Sequence, residues 1–120
     1  MTFDYDPENI FAKILRGEIP CDKVHETETT LAFRDIRPQA PTHILVIPKG
    51  AYVSLDHFCM EGSDAEITSF WRAVGEICAE ADVKDGFRAI ANAREHALQE
   101  VPHFHVHILG GRVLGPLLAS

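Results

Sequence analysis

Three histidines, His103, His105 and His107, stand within five residues near the end of the chain. Apolar residues separate them, so the segment alternates between imidazole and apolar side chains. In a β-strand alternate side chains leave opposite faces, which would put the three rings on one face, about 6.5–7 Å apart. Such a row would lower the stability of the fold, because each ring needs hydrogen-bond partners and protonated rings repel one another. A purely structural role is therefore an unfavourable explanation for it. The spacing therefore predicts a functional site.

Two chemistries suit such a face, and the pattern leaves both open. Neutral imidazoles are common zinc ligands, but rings at alternate strand positions lie along a line, and the strand has no Cys or carboxylate to add a fourth ligand. The other chemistry is nucleophilic and general acid–base catalysis at an anionic centre such as a phosphate. Repulsion along the row disfavours protonation of any one ring, which leaves a neutral, nucleophilic imidazole at pH 7. The pattern favours this second chemistry.

Composition excludes several other classes of function. The chain has 120 residues, 46% of them hydrophobic and 24% charged, which is ordinary for one globular domain. Its net charge of -7 argues against nucleic acid and anionic membrane surfaces as partners. No apolar run approaches the roughly 20 residues that span a bilayer, and the acidic N-terminal stretch lacks the apolar region of a secretory signal. With three separated cysteines and no Cys-x-x-Cys pair, we expect a cytoplasmic protein.

Periodicity and capping residues predict the elements that must position the histidines. A first helix is expected over 7–16 with Asp6 as its cap, and a second follows a capping box of Ser63 and Glu66 and carries a wide apolar stripe that includes Trp71. Strands are expected over 23–28, 30–35, 43–47, 87–92 and 103–109. This order predicts an α+β fold with a five-stranded, mostly antiparallel sheet and two helices.

Several separated segments together resemble one family. Beyond the three histidines, the segments that carry the resemblance are 10–20, 31–36, 38–43, 47–49 and 109–112. Their order and spacing are similar to those of the histidine triad (HIT) superfamily, in particular its Hint branch of histidine triad nucleotide-binding proteins and purine nucleoside phosphoramidases. The resemblance runs from about residue 8 to residue 118 and implies a single HIT domain over residues 1–120 with a HIT-like fold.

The resemblance implies a reaction at phosphorus. In such proteins the middle histidine, here His105, attacks the α-phosphorus of a nucleoside phosphoramidate or acyl-nucleotide, and water then releases the nucleoside monophosphate. The backbone carbonyl of His103 would orient the His105 ring, His107 would contact phosphate oxygens, and His43 would complete the cluster. This mechanism requires no metal and no organic cofactor.

Further residues are implied to bind the purine nucleotide substrate. Asp35 would bind the ribose hydroxyls, and Phe33 and Ile36 would line the base pocket. The other implied nucleotide-binding residues are Asn92, Gln99, Glu100 and Val101. The loop before the histidines departs from the branch at Ala97 and Leu98, where relatives often have glycine, and at Glu100, where eukaryotic relatives have serine. An ionised carboxylate cannot donate a hydrogen bond, so we expect an altered leaving-group preference.

The resemblance also implies a homodimer. The apolar stripe around Trp71 and the apolar tail over 113–118 are surfaces that a partner subunit could cover. Two alternative functions remain: a nucleotide- or zinc-binding regulatory module with little turnover, and a dinucleoside polyphosphate hydrolase or nucleotidyltransferase of the same superfamily. The intact histidines favour the phosphoramidase. His25 and His57 are expected to be surface or strand residues without a special role.

Overall fold

The described part of the chain, residues 3–119 of a computed structural model, folds into five strands and three α-helices. In chain order they are α1 (Ile10–Leu15), β1 (Lys23–Glu26), β2 (Thr30–Arg34), β3 (Thr42–Pro48), α2 (Leu55–Glu61), α3 (Asp64–Glu80), β4 (Phe87–Ile90) and β5 (Val106–Gly110). A short 3₁₀ turn, Glu95–Ala97, lies between the last two strands.

One sheet contains all five strands, in the order β1-β2-β3-β5-β4. Every neighbouring pair is antiparallel, so the expected α+β class and the five-stranded antiparallel sheet are confirmed. The seven-residue strand β3 is central and buried throughout, from Thr42 and His43 at its start to the apolar run over 44–48. Because β5 pairs with β3, residues from two distant parts of the chain meet at the middle of the sheet.

Alternation along the central strands divides the core between the two faces of the sheet. On one face, α2 and α3 pack Phe58, Phe70 and Ile77 against Val46 and Val106. The opposite face carries a smaller cluster, in which Phe11 of α1 meets side chains of β2 and β3. Phe104, Val106 and Ile108 all belong to the first cluster, so the histidines between them are turned toward the second face.

Helix α3 begins as the sequence predicts. The Ser63 hydroxyl accepts the Glu66 backbone N–H, and the Glu66 carboxylate accepts the Ser63 N–H. The stripe is buried at Phe70 and Ile77, but Trp71 keeps 40% of its surface exposed. Within residues 3–119, the structure has no helix that is long and apolar enough to cross a membrane.

The first helix is shorter than predicted and has a different cap. It begins at Ile10, and the side chain of Asn9, not Asp6, accepts the Ala12 N–H at 2.9 Å. Asp6 instead accepts the N–H of Glu8, which makes a local turn ahead of the helix.

The prediction of only two helices was incomplete, because α2 was missed. The side chain of its N-cap Ser54 accepts no capping hydrogen bond, and the helix is held by burial of Phe58, a tertiary effect that local patterns do not reveal. The prediction that His57 is a surface or strand residue was also wrong. His57 lies in α2, is 6% exposed, accepts the Val53 N–H and stacks on Phe3. His25 lies in β1, as expected.

The last two strands are also shorter than predicted. β4 ends at Ile90, so Asn92 follows the strand, and β5 begins only at Val106, so His103 and His105 precede it. The register that pairs Val46 with Val106 would bring Phe104 opposite Pro48, which has no N–H to continue the ladder. Phe104 donates its N–H to the Tyr52 carbonyl instead, at 2.7 Å.

Candidate active site

Two neighbouring strands bring His43 and His107 together. His43 is opposite Leu109, and His107 is opposite Leu45, so the two histidines are diagonal neighbours on one face of the sheet. Their rings meet with His43 Nε2 and His107 Nδ1 2.9 Å apart. His105 lies beside them, with its ring centroid 4.9 Å from that of His107. The structure therefore gathers three imidazoles into one cluster.

A backbone carbonyl orients the His105 ring. His105 Nδ1 lies 2.7 Å from the carbonyl oxygen of His103, which is the contact that the family resemblance implies. Since a carbonyl only accepts, Nδ1 carries the hydrogen, and in the neutral ring Nε2 keeps its lone pair. The edge of Phe11 meets the ring at a centroid distance of 5.0 Å and restricts its rotation. His105 is thus presented as a neutral nitrogen nucleophile.

His103 itself is completely buried, and both of its ring nitrogens are bonded. Nε2 lies 2.8 Å from the Pro48 carbonyl oxygen and must donate to it. Nδ1 lies 2.6 Å from the Tyr5 hydroxyl and accepts from it. With both nitrogens committed to protein groups, the His103 ring is held as a structural part of the site.

The tautomers of His43 and His107 follow from one backbone group. The Gln39 N–H donates to His43 Nδ1 at 3.1 Å, so the neutral His43 ring carries its hydrogen on Nε2. That hydrogen points to Nδ1 of His107, which therefore accepts and carries its own hydrogen on Nε2. The arrangement gives His107 an N–H that can donate to an anion.

Burial keeps the cluster neutral. It lowers the pKa of all four imidazoles, and it lowers the pKa of His103 and of His107 to about 4. Neighbouring imidazoles add to the effect at His107, while the carboxylates of Asp35 and Glu100 oppose it at His105. A neutral His105 is the form that can attack phosphorus.

Asp35 follows β2 and faces the histidine pair. One carboxylate oxygen lies 3.4 Å from His43 Nε2, and the other accepts the Arg37 N–H at 2.8 Å. The Asp35 side chain is only 20% exposed, so its charge acts on the cluster through little water.

The loop that precedes the histidines is anchored to α2. The side-chain amide of Gln99 donates to the carbonyls of Val53 and Val101, and its oxygen accepts the Arg94 N–H. The Arg94 guanidinium grips both carboxylate oxygens of Asp56, at 2.9 and 3.2 Å, and holds the pKa of that carboxyl down at about 2. Gln99 was expected to bind nucleotide, and in this structure its amide supports the loop.

Two residues of this loop adopt backbone conformations that favour glycine. Leu98 lies in the left-handed region, at φ 57°, and Arg94 has φ 64° and ψ -169°. The chain therefore keeps a glycine-like turn at Leu98, with the Leu98 side chain 80% exposed to solvent. Ala97, the other position where relatives often have glycine, does not have a positive φ.

The remaining expected nucleotide-binding residues are spread around the cluster. Phe33 is buried against Phe11, 5.5 Å between ring centroids, and Val101 packs at the border of the same apolar cluster. Ile36 is 90% exposed beside Asp35. Asn92 is half-buried after β4, and Glu100 is exposed in the loop. The four histidines and Asp35 are thus brought together, while Ile36 and Glu100 lie at the surface.

Sequence reasoning missed three groups that shape the cluster. Phe11 was not expected to contribute to the site, although its ring contacts His105. The Gln39 N–H sets the His43 tautomer, which no side-chain pattern reveals. Tyr5 makes a hydrogen bond with His103, which is 98 residues away in the sequence, and no local signal could have connected the two.

Asp35, His43 and His107 also form a geometric candidate for a metal site. One potential ligand atom from each lies within 4.8 Å of the others. An ion there would need the lone pair of His43 Nε2, but the Gln39 N–H already requires the His43 hydrogen to be on Nε2. The hydrogen bonds of the residues present therefore do not fit a metal at this position.

The fold and the histidine cluster define a HIT-domain protein. The HIT domain family matches residues 16–114, and the chain belongs to this family. It is 58% identical to a HIT-like protein of Azospirillum brasilense over 100% of this chain and 99% of that one. It is 46% identical to the purine nucleoside phosphoramidase of Escherichia coli over 93% of this chain and 94% of the enzyme, which supports the resemblance to the Hint branch. Among solved structures, a HIT family hydrolase from Legionella pneumophila superposes with a TM-score of 0.76 at 42% identity, over 88% of this chain and 95% of that one.

We predict that His103 stays neutral in the folded protein down to about pH 5, because burial lowers its pKa to about 4. In the unfolded chain the ring takes up a proton near pH 6.5. Acid therefore favours the unfolded state, so the stability that neutral His103 preserves at pH 7 declines as the pH falls from about 6.5 toward 4. An NMR titration of the His103 ring, in folded and in urea-unfolded protein, measures the difference. Protonation of His103 at pH 6 in the folded protein would contradict it.

Proposed function

We propose that the protein hydrolyses the P–N bond of purine nucleoside phosphoramidates, or the acyl–phosphate bond of acyl and aminoacyl adenylates, through a covalent nucleotidyl-histidine on His105. The observation that carries this proposal is the 2.7 Å hydrogen bond from His105 Nδ1 to the His103 carbonyl, which leaves Nε2 with a free lone pair. The 46% identical phosphoramidase supports the substrate class, and the HIT family hydrolase supports hydrolysis.

In the first step the Nε2 lone pair of His105 attacks the α-phosphorus. A P–N bond forms to His105, the bond to the leaving amine breaks, and the amine takes a proton from solvent, which the attacking water replaces in the second step. In the second step water attacks the same phosphorus, the bond to His105 breaks, and nucleoside monophosphate is released. His105 returns to its neutral form, held again by the His103 carbonyl.

His107 stabilises the phosphate oxygens in both steps. Its Nε2–H is available because Nδ1 accepts from His43, and a preorganised donor of this kind stabilises charge that develops on oxygen. The buried cluster is neutral before substrate binds, so the phosphate meets N–H donors without a fixed cation that would hold the product. This explains how an acidic protein can bind a single nucleotide.

Ribose and base contacts are assigned from the family pattern and the surface around the cluster. Asp35 offers a carboxylate at the edge of the histidine pair, where it can accept from ribose hydroxyls. Ile36 is exposed beside it and supplies apolar surface for a purine, with Phe33 behind it in the core. Asn92, Gln99, Glu100 and Val101 are assigned to nucleotide binding from the family pattern alone, and the Glu100 carboxylate accepts but does not donate when ionised.

Replacement of His105 by Asn or Ala removes the nucleophile. We expect hydrolysis of adenosine 5′-phosphoramidate and of an adenylated amine to fall by at least about 10³-fold. The measurement is release of adenosine monophosphate under steady-state conditions. His25→Asn is the matched control, because His25 lies in β1 and faces the acidic side chains of α3.

The proposal fails if wild-type protein shows no turnover above the His105 variants. A dinucleoside polyphosphate offered in the same assay tests the related hydrolase function. A chelator tests the zinc-binding alternative, because turnover that is lost with the metal would contradict the tautomer assignment at His43.

We further propose that the protein is a homodimer. Several large apolar side chains remain exposed on the single chain, and among them are Trp71, Phe87, Val113, Leu117 and Leu118. The last three belong to the tail over 113–118, and exposed large apolar side chains in one segment are typical of a protein interface.

Light scattering at micromolar concentration is expected to give about twice the 13.4 kDa mass of the chain. Substitution of both Leu117 and Leu118 by Ser removes apolar surface from the tail without touching the described core, so it should weaken association. Val53→Ala, on a loop away from the tail, serves as the comparison. A monomeric mass for the unmodified chain would refute the dimer.

A further inference from the structure

Tyr5 reaches the histidine cluster from the N-terminal segment. It lies five residues before α1, its ring is half-buried, and its hydroxyl oxygen is 2.6 Å from His103 Nδ1. The two rings meet edge to face at a centroid distance of 5.5 Å. This contact joins the beginning of the chain to the segment that carries the nucleophile.

The contact of His103 Nε2 decides which group donates in the hydrogen bond between Tyr5 and His103. Nε2 faces the Pro48 carbonyl at 2.8 Å and must carry the hydrogen, so the neutral ring has only a lone pair on Nδ1. The Tyr5 hydroxyl therefore donates to Nδ1. Burial raises the pKa of Tyr5, which keeps the hydroxyl protonated and able to donate across the neutral pH range.

Contacts on both sides of Tyr5 hold the segment in place. Phe3 stacks on His57 of α2, with ring centroids 4.4 Å apart. On the other side, the Asp6 carbonyl accepts from the Asn9 side-chain amide at 2.7 Å, and Asn9 also caps α1. Tyr5 is therefore held between two helices and does not depend on its own hydroxyl for its position.

The ring of His103 adds to two backbone hydrogen bonds around this residue. The His103 N–H donates to the Val101 carbonyl at 2.8 Å, and the Phe104 N–H, in the same peptide group as the His103 carbonyl, donates to the Tyr52 carbonyl. His103 precedes β5, so the ladder that fixes His107 does not fix the carbonyl of His103. The bonds from its ring to Tyr5 and Pro48 hold the residue, and its carbonyl then accepts from His105 Nδ1. A shift of the His103 ring would therefore move the His103 carbonyl and weaken its hydrogen bond to His105 Nδ1.

We propose that Tyr5 is a positioning residue for the nucleophile: its hydroxyl donates to Nδ1 of His103, holds that ring in place against the Pro48 carbonyl and thereby helps to hold the carbonyl that orients His105. This role rests on the proposed hydrolysis. Tyr5 itself touches neither phosphorus nor the leaving group, so it should affect the chemical step and leave nucleotide binding unchanged.

Tyr5→Phe tests the proposal, because it removes the hydroxyl and keeps the ring. We expect kcat for adenosine 5′-phosphoramidate to fall by about 5- to 30-fold, with KM unchanged within about twofold. In nitrogen NMR spectra, His105 should lose part of its Nδ1–H population, while His103 keeps the Nε2–H tautomer that the Pro48 carbonyl requires. Tyr52→Phe is the matched control, since it removes the hydroxyl of the only other tyrosine. That hydroxyl donates to Glu66 at 2.8 Å and makes no hydrogen bond with His43, His103, His105 or His107.

Wild-type values of kcat and of the His105 tautomer population in Tyr5→Phe would overturn the proposal. A lower melting temperature with unchanged kcat and unchanged tautomers would also overturn it, because that result is a purely structural role. If the wild-type protein itself does not turn over phosphoramidates, the NMR comparison still decides. A change in the His105 tautomer then supports the positioning role although the proposed function fails.

Discussion

The hydrogen bond from His105 Nδ1 to the His103 carbonyl is the interaction on which the proposed chemistry depends. It is made just before β5, where the chain has not yet entered the sheet, so the His103 carbonyl belongs to no strand. That carbonyl is free to accept from the side chain two residues later, and the rest of the site completes the geometry around that contact.

Burial and hydrogen-bond direction together decide the protonation state of the cluster. Four imidazoles close together would repel if protonated, and burial lowers the pKa of each of them. Backbone groups that can only accept or only donate a hydrogen bond then select the tautomers. The Pro48 carbonyl accepts from His103, and the Gln39 N–H donates to His43. The outcome is one free lone pair on His105 and one free N–H on His107, which are the two functions that an attack at phosphorus requires.

Sequence patterns predicted the sheet, the capping box of α3 and the common face of the histidines, because alternation and capping act locally. The same alternation extended β5 too far, since the ladder stops at a proline on a different strand. Helix α2 was missed because burial of Phe58 holds it, and Tyr5 was missed because its partner is 98 residues away. The roles of Asp35, Ile36 and Asn92 came from the family resemblance, and nothing in their spacing alone would have separated them from turn or core residues.

The central claim is that His105 carries the nucleotide during turnover. Rapid quenching of the protein with adenosine 5′-phosphoramidate, followed by peptide mass mapping, tests it directly. A nucleotidyl group on His105, formed and lost at rates that match turnover, is the predicted result. Turnover without an enzyme-bound nucleotide, or a nucleotide attached to His107 or His43, would contradict it.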